Sequence, residues 1–195
     1  EREKKVKELM DVVGLSQRFA HAYPHELDGG RRQRIGIARA LSLDPEFIVC
    51  DEPVSALDVS IQAQILNLLM DLQRDRGLTY MFITHDLSVV RHISDEIIVM
   101  YLGVVVERAP SHELFNNPLH PYTKELIRSI PAPDLDPAHR LMNSLRGEVS
   151  DPIDPPARCR FAPRCNYTCE KCTGRNPQLI DMGNNHYVAC TLFEK

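Results

Sequence analysis

From residue 29 to residue 130 the spacing of apolar positions switches repeatedly between a helical period and short continuous runs. Ile35, Ala38, Arg39 and Ser42 fall at i, i+3, i+4 and i+7, which predicts a helix over Arg32–Leu43 with Gly29-Gly30 just before it. Phe47-Ile-Val-Cys50 then predicts a short buried strand. Ile61, Ile65, Leu68, Leu69 and Leu72 form one apolar stripe of a helix over about Ser60–Arg76, closed by Gly77. Tyr80-Met-Phe-Ile83 is a second buried strand, and a short helix carrying Leu87, Val90 and Ile93 follows it. Glu96–Met100 and Val104–Glu107, joined around Gly103, have the pattern of a hairpin. The last helix, Pro121–Ile130, opens with proline in its first turn, where no intrahelical N–H is needed. Such alternation predicts a layered α/β domain over residues 1–130.

Proline and cysteine divide the rest. Residues 131–157 contain Pro131, Pro133, Pro137, Pro152, Pro155 and Pro156, which interrupt any long helix and predict a linker or wrapping arm. Cys50 stands alone, whereas Cys159, Cys165, Cys169, Cys172 and Cys190 crowd the last 37 residues, so 158–195 is expected to be a small cysteine-rich C-terminal domain.

Composition narrows the class. With 195 residues, 43% hydrophobic and 26% charged, the chain can bury one core of about 100–150 residues plus a smaller appendage, which excludes disorder throughout. The net charge of −4 argues against a nucleic-acid partner. The longest apolar run, Ile97–Val106, contains Gly103 and is far short of the roughly 18 residues of a membrane span. A start at Glu-Arg-Glu-Lys-Lys, without Met or a signal-peptide pattern, leads us to expect a cytoplasmic chain and the trailing part of something longer.

Three short motifs carry candidate chemistry. Asp51 and Glu52 end the first strand, where open parallel sheets bind ligands and where carboxylates can hold Mg²⁺ or polarise a water. Thr84-His85-Asp86 ends the second strand 33 residues after Glu52, and Leu27-Asp28-Gly29-Gly30-Arg31 leads into a helix whose first N–H groups can face an anion. Singly, each reads as a solvated turn, a strand-end histidine or a helix cap. In this order and spacing they are not independent.

Together with Tyr23-Pro-His-Glu-Leu, Gln33-Arg-Ile-Gly-Ile-Ala-Arg-Ala-Leu41, Asp51-Glu-Pro-Val-Ser-Ala-Leu-Asp58, Ile83-Thr-His-Asp-Leu87 and Asn117-Pro-Leu-His-Pro-Tyr-Thr123, these motifs closely resemble the ATP-binding subunits of oligopeptide and dipeptide ABC importers, from Val6 to Lys195. The resemblance implies part of an ABC-type P-loop NTPase domain using ATP and Mg²⁺. It implies Asp51 on Mg²⁺, Glu52 as general base for the attacking water and His85 as the histidine that contacts the γ-phosphate. By the same resemblance Ser55–Asp58 is a loop linking two nucleotide sites across a dimer. Leu27, Asp28, Gly29, Gly30 and Arg31 form the signature that acts on ATP bound by the opposing subunit. The partners implied are a second ATP-binding subunit in a homo- or heterodimer, transmembrane permease subunits and, indirectly, a peptide-binding protein. The place implied is the inner face of the cell membrane, as a peripheral subunit.

Two departures qualify this. None of the nine glycines precedes a lysine, so the phosphate-cradling Gly-Lys-Ser/Thr loop is absent from these residues, and the chain alone is expected to be inactive. The signature carries Asp28 in place of Ser and Arg31 in place of Gln; an ionised carboxylate repels a phosphate that a hydroxyl would bind, while Arg31 and Arg32 offset part of that charge.

Cys159, Cys165, Cys172 and Cys190 are spaced C-x5-C-x6-C-x17-C, with Cys169 as an extra thiol. In a cytosolic chain metal ligation ranks above disulfides, and six basic against three acidic residues over 158–195 suit anionic thiolates. Four thiolates serve zinc or a [4Fe–4S] cluster. Peptide-importer subunits with this Arg-Cys-Arg-Phe-Ala-Pro-Arg-Cys pattern include members with an iron–sulfur cluster, which places [4Fe–4S] first, Zn²⁺ second and disulfides third. The alternative function is a metal-cluster-binding module with a vestigial, catalytically inactive nucleotide core.

Overall fold

The computed structural model describes residues 1–130 and 153–194, so most of the expected linker lies outside the described residues. The chain forms two compact units, Glu1–His85 and Asp86–Lys195.

In the first unit, α1 (Arg2–Val12) buries Leu9 and Met10, with Val13 at its C-cap fully buried. α2 spans Gly29–Leu41, three residues earlier than the apolar spacing predicts. The reason is Asp28, whose carboxylate accepts from Arg31 N (2.8 Å) and so caps the helix ahead of its apolar stripe. α3 (Val59–Arg76) is capped in the same way by Asp58, which accepts from Ile61 N (3.0 Å). It ends where Gly77 takes φ +66°, as expected for a glycine C-cap. Gly30 allows the first turns of α2 and α3 to meet, since a Cβ there would lie 2.6 Å from Ile61 Cγ2.

β1 (Phe47–Asp51) and β2 (Thr79–Ile83) pair in parallel, Phe47 opposite Thr79 and Asp51 opposite Ile83. Both were expected to be buried, and this is corrected on one face. Tyr80 donates its hydroxyl to Leu69 O (3.1 Å) of α3, so that face is covered, while Phe47, Val49, Met81 and Ile83 on the other are 45–54% exposed. A two-stranded parallel sheet with an open apolar face and open edges is a template for association. The 195-residue chain should therefore self-associate with rising concentration in light scattering, and Val49→Lys with Met81→Lys should lower the apparent mass. A monodisperse monomer across the concentration range would contradict this.

In the second unit, α4 (Leu87–Ile93) leads to a four-stranded antiparallel sheet of order β3-β4-β6-β5, made of β3 (Glu96–Tyr101), β4 (Val104–Pro110), β5 (Ile180–Asp181) and β6 (Tyr187–Val188). α5 (Ser111–Asn116) and α6 (Pro121–Arg128) follow β4 in the chain. Ile97, Val99 and Tyr101 alternate inward on β3 and form the core with Val106, Ala109, Leu114 and Phe161. Phe161, from the cysteine-rich stretch, lies edge-on to Tyr101 at 5.2 Å between ring centres. The tail thus contributes both an aromatic to the hairpin's core and a strand to its sheet. Its own apolar content is too small to close a core without them. No described helix is long and apolar enough to cross a membrane.

Candidate functional site

β1 delivers Asp51 to its C-terminal end, and the next residue, Glu52, takes φ +48°, a left-handed conformation unusual for a residue with a side chain. Glu52 N continues the parallel ladder by donating to Ile83 O (2.9 Å). The turn is closed by Ser55, whose hydroxyl donates to Glu52 O (3.1 Å). The result places Glu52 beside the end of β2, where His85 Nδ1 donates to Glu52 Oε1 (2.8 Å). The second carboxylate oxygen, Oε2, is buried without a hydrogen-bond partner. His85 is 76% exposed, so its ring projects outward while it fixes the carboxylate. Glu52 and His85, 33 residues apart in sequence, are thus held together, with Asp51 next to Glu52 in the chain. The imidazole fixes the carboxylate through Oε1 and leaves Oε2 unpartnered, an arrangement that orients a potential general base, and Asp51, next to it in the chain, has the oxygen chemistry that Mg²⁺ takes.

The second cluster is the facing start of α2 and α3. Leu27 is buried, Gly29 and Gly30 form the first turn, and a Cβ on Gly29 would lie 3.0 Å from Leu57 Cδ2. Asp58 is engaged as the α3 cap. Asp28 both caps α2 and forms an ion pair with Arg31, whose guanidinium also lies 4.7 Å over the Phe19 ring. Arg32 is engaged too, donating Nε to Leu27 O (2.9 Å). The expected offset of Asp28 by Arg31 is present as a direct pair. The cost is that the carboxylate occupies the helix start where an incoming anion would receive N–H donors.

The four cysteines singled out by spacing, Cys159, Cys165, Cys172 and Cys190, line one small recess together with His120, Phe161 and Thr191. Cys169 does not line it and is exposed. Burial pushes the Cys159 and Cys165 thiols up and Cys190 up to about 11, so as free groups they hold their protons. As placed, no group of three or more His, Cys, Asp or Glu among the described residues is arranged to hold a metal ion, so neither the [4Fe–4S] cluster nor the Zn²⁺ expected on Cys159, Cys165, Cys172 and Cys190 is shown by their positions.

Sequence reasoning missed Glu107. It is fully buried on β4 and accepts from Leu119 N (2.7 Å), His120 N (2.9 Å) and His186 Nε2 (2.7 Å). His186 Nδ1 lies 3.6 Å from Glu113, so one imidazole faces two carboxylates. This network binds the tail to the loop Asn117-Pro-Leu-His-Pro-Tyr. A carboxylate at an inward position of the otherwise apolar run Val104-Val-Val-Glu107 was the available signal.

Comparison with known proteins supplies the wider setting. The family described as ABC transporter matches residues 1–55, and the one described as Oligopeptide/dipeptide transporter, C-terminal region, matches 106–172. The oligopeptide transport ATP-binding protein AppF of Bacillus subtilis is 53% identical over 194 residues, covering 99% of this chain and 59% of AppF. The dipeptide transport ATP-binding protein DppF of Haemophilus influenzae is 51% identical over 192 residues, covering 97% of this chain and 58% of DppF. The chain belongs to the oligopeptide/dipeptide ABC transporter ATP-binding family. It spans just under three fifths of the length of these curated relatives.

Solved structures agree on the fold. An ATP-binding cassette solved as a dimer bound to ADP and Pi superposes with a TM-score of 0.51 at 36% identity, covering 56% of this chain and 47% of that one. Another ATP-binding cassette of an ABC transporter, in its ADP conformation, gives 0.55 at 25% identity over 63% and 48% of the two chains. The α/β nucleotide-binding fold expected from the motifs is therefore present at the level of the family.

Proposed function

We propose that this chain forms part of an ATP-binding subunit that energises peptide import, with residues 1–130 the C-terminal part of its nucleotide-binding domain. The observation that carries this reading is Glu52, held by His85 through one oxygen while the other is buried and unpartnered. Mg²⁺–ATP, when bound, supplies the phosphoryl group to be transferred and the cation that neutralises its charge. Asp51 would hold Mg²⁺ through oxygen, and Glu52 would accept the proton of the attacking water. His85 keeps that carboxylate oriented and presents its outer nitrogen to the γ-phosphate. Leu27, Gly29, Gly30 and Asp58 contribute from a facing subunit, and the Asp28–Arg31 pair weakens the signature's grip on phosphate. The partners are a second ATP-binding subunit and transmembrane permease subunits at the cytoplasmic face of the membrane, with a peptide-binding protein engaged indirectly.

A chimera placing this chain after the phosphate-loop half of a related subunit should restore dipeptide or oligopeptide uptake to cells lacking that subunit. Glu52→Gln in the chimera should abolish the uptake. No uptake by a chimera that assembles normally with the permease would sink the reading. Nothing in the comparisons favours the alternative of a metal-cluster module with a vestigial core.

A cofactor reading is supported separately by the tail. A [4Fe–4S] cluster is attached at four corners, one thiolate to each iron, whereas Zn²⁺ needs its ligands converging on a single point. That the four thiols line one recess is the observation in favour of the cluster. The chain purified without oxygen should hold close to four irons and four sulfides and be brown, and Cys→Ser at 159, 165, 172 or 190 should remove the colour. Cys169→Ser should retain it. A colourless preparation with one bound zinc would select zinc instead.

A further inference from the structure

Cys169 is not part of the recess wall, yet it is not isolated. Its Sγ lies 3.7 Å from Cys172 Sγ, across a single tight turn in which Cys172 N donates to Cys169 O (3.0 Å). The two sulfurs differ in access, since Cys169 is exposed and Cys172 is only 6% exposed. Thr191 Oγ1 touches Cys172 Sγ at 3.1 Å and approaches Cys169 Sγ at 4.0 Å, so the hydroxyl pins both sulfurs to the C-terminal turn Thr191–Phe193. A disulfide needs the sulfurs to close from 3.7 Å to about 2.05 Å. The other thiols lack this combination of access and proximity. Cys190 is buried, Cys159 and Cys165 are partly buried on the recess wall, and Cys50 is buried in the first unit.

We propose that Cys169 and Cys172 form a reversible redox pair, in which exposed Cys169 reacts with a peroxide and buried Cys172 resolves the product as an intramolecular disulfide. The Cys169 thiolate attacks one peroxide oxygen, the O–O bond breaks, and the departing hydroxide takes a proton to leave as water. Cys169 is then a sulfenic acid. The Cys172 thiolate attacks the Cys169 sulfur, an S–S bond forms, the S–O bond breaks, and the second hydroxide leaves as water. Two thiols have lost two protons and two electrons, and one peroxide has become two waters. A dithiol returns the pair to the reduced form by exchange through a mixed disulfide. The pair stands independently of any cofactor. Where the recess does hold a cluster, which rests on the reading given above, oxidation withdraws Cys172 from the four thiols around it and so opposes cluster assembly.

The test uses the full 195-residue chain, reduced and free of iron, treated with an equivalent of hydrogen peroxide, alkylated and digested with trypsin. Cleavage after Arg164, Lys171 and Arg175 puts Cys165 with Cys169 in peptide 165–171 and Cys172 in peptide 172–175. The expected product is these two peptides joined, two hydrogens lighter than their sum and separated by a reductant. Alkylatable thiols should fall by two from six. The link should persist in Cys165→Ser and vanish in Cys169→Ser. Recovery of both peptides separately alkylated, a link that survives Cys169→Ser, or Cys169 over-oxidised with Cys172 still alkylatable would each overturn the proposal. Iron content of the anaerobic protein is read on a separate sample, so failure of the cluster reading leaves this result untouched.

Discussion

Incubated with Mg²⁺ and ATP, the 195-residue chain releases phosphate no faster than buffer, and Glu52→Gln leaves that rate unchanged. In the proposed assignment Asp51, Glu52 and His85 orient a water and take its proton. Phosphoryl transfer, however, is governed by positioning and charge stabilisation of the phosphates themselves. That task needs a Gly-Lys-Ser/Thr cradle, and none of the nine glycines here precedes a lysine. Asp28 compounds the deficit, because its carboxylate already fills the start of α2. Supplying a phosphate-loop segment in a chimera should recover nucleotide binding first and turnover second. In that chimera Glu52→Gln should cost about 10²–10⁴-fold in kcat, the range for loss of a positioned general base, with KM little changed. Phosphate release by the chain alone, abolished by Glu52→Gln, would overturn this assignment of labour.

The second large effect is on stability. Glu107→Ala should lower the unfolding free energy of the second unit by about 3–5 kcal/mol, the usual loss when one partner of a buried charged network is removed. Glu107 is fully buried and accepts from three donors, so truncation strands Leu119 N, His120 N and His186 Nε2 in an apolar surrounding. Amides of β6 should then exchange faster, because β6 pairs with β4 at just Glu107–Val188 and Arg108–Tyr187, extended by one bond from Ala189 N to Val106 O. The measurement is urea unfolding followed by tyrosine emission, as the chain has six Tyr and no Trp. A loss under about 1 kcal/mol would show that the network is ornamental relative to the hydrophobic core. The neighbouring His120 adds a pH signature. Burial lowers its pKa from 6.5 to about 4, and its Nδ1 accepts from Tyr122 N (3.0 Å), which requires the neutral ring. The unfolded chain takes up this proton first, so the stability tied to neutral His120 is complete above pH 6.5 and falls away as pH drops toward 4.

Much of the nucleotide-associated part was legible because its signals are local. Gly77 ended α3 where expected, and the strands Phe47–Asp51 and Thr79–Ile83 appeared at their apolar runs. The start of α2 was misplaced by three residues because a side-chain cap, and not hydrophobic spacing, decides where a helix begins. α1 was not anticipated, since its few apolar residues are diluted by charge and gain their worth only from the residues they pack against. Strand burial was overestimated because an apolar run does not reveal which of its two faces will be covered.

The sequence by itself determined the helix and strand order from α2 to the β3–β4 hairpin, the family, and which carboxylates, histidine and cysteines are candidates for chemistry, because these depend on residue type and spacing along the chain. Only the tertiary structure decided that His85 holds one oxygen of Glu52 and leaves the other unpartnered, that Asp28 is consumed by its own helix and by Arg31, and that Glu107 closes onto His186 from 79 residues away. It also decided that four cysteines share a recess while the fifth stands against one of them at its edge. The physical reason is common to all of these. A hydrogen bond, a burial or a sulfur contact depends on distance in space, and distance in space between remote residues is set by how sheet register and helix packing bring the chain back on itself.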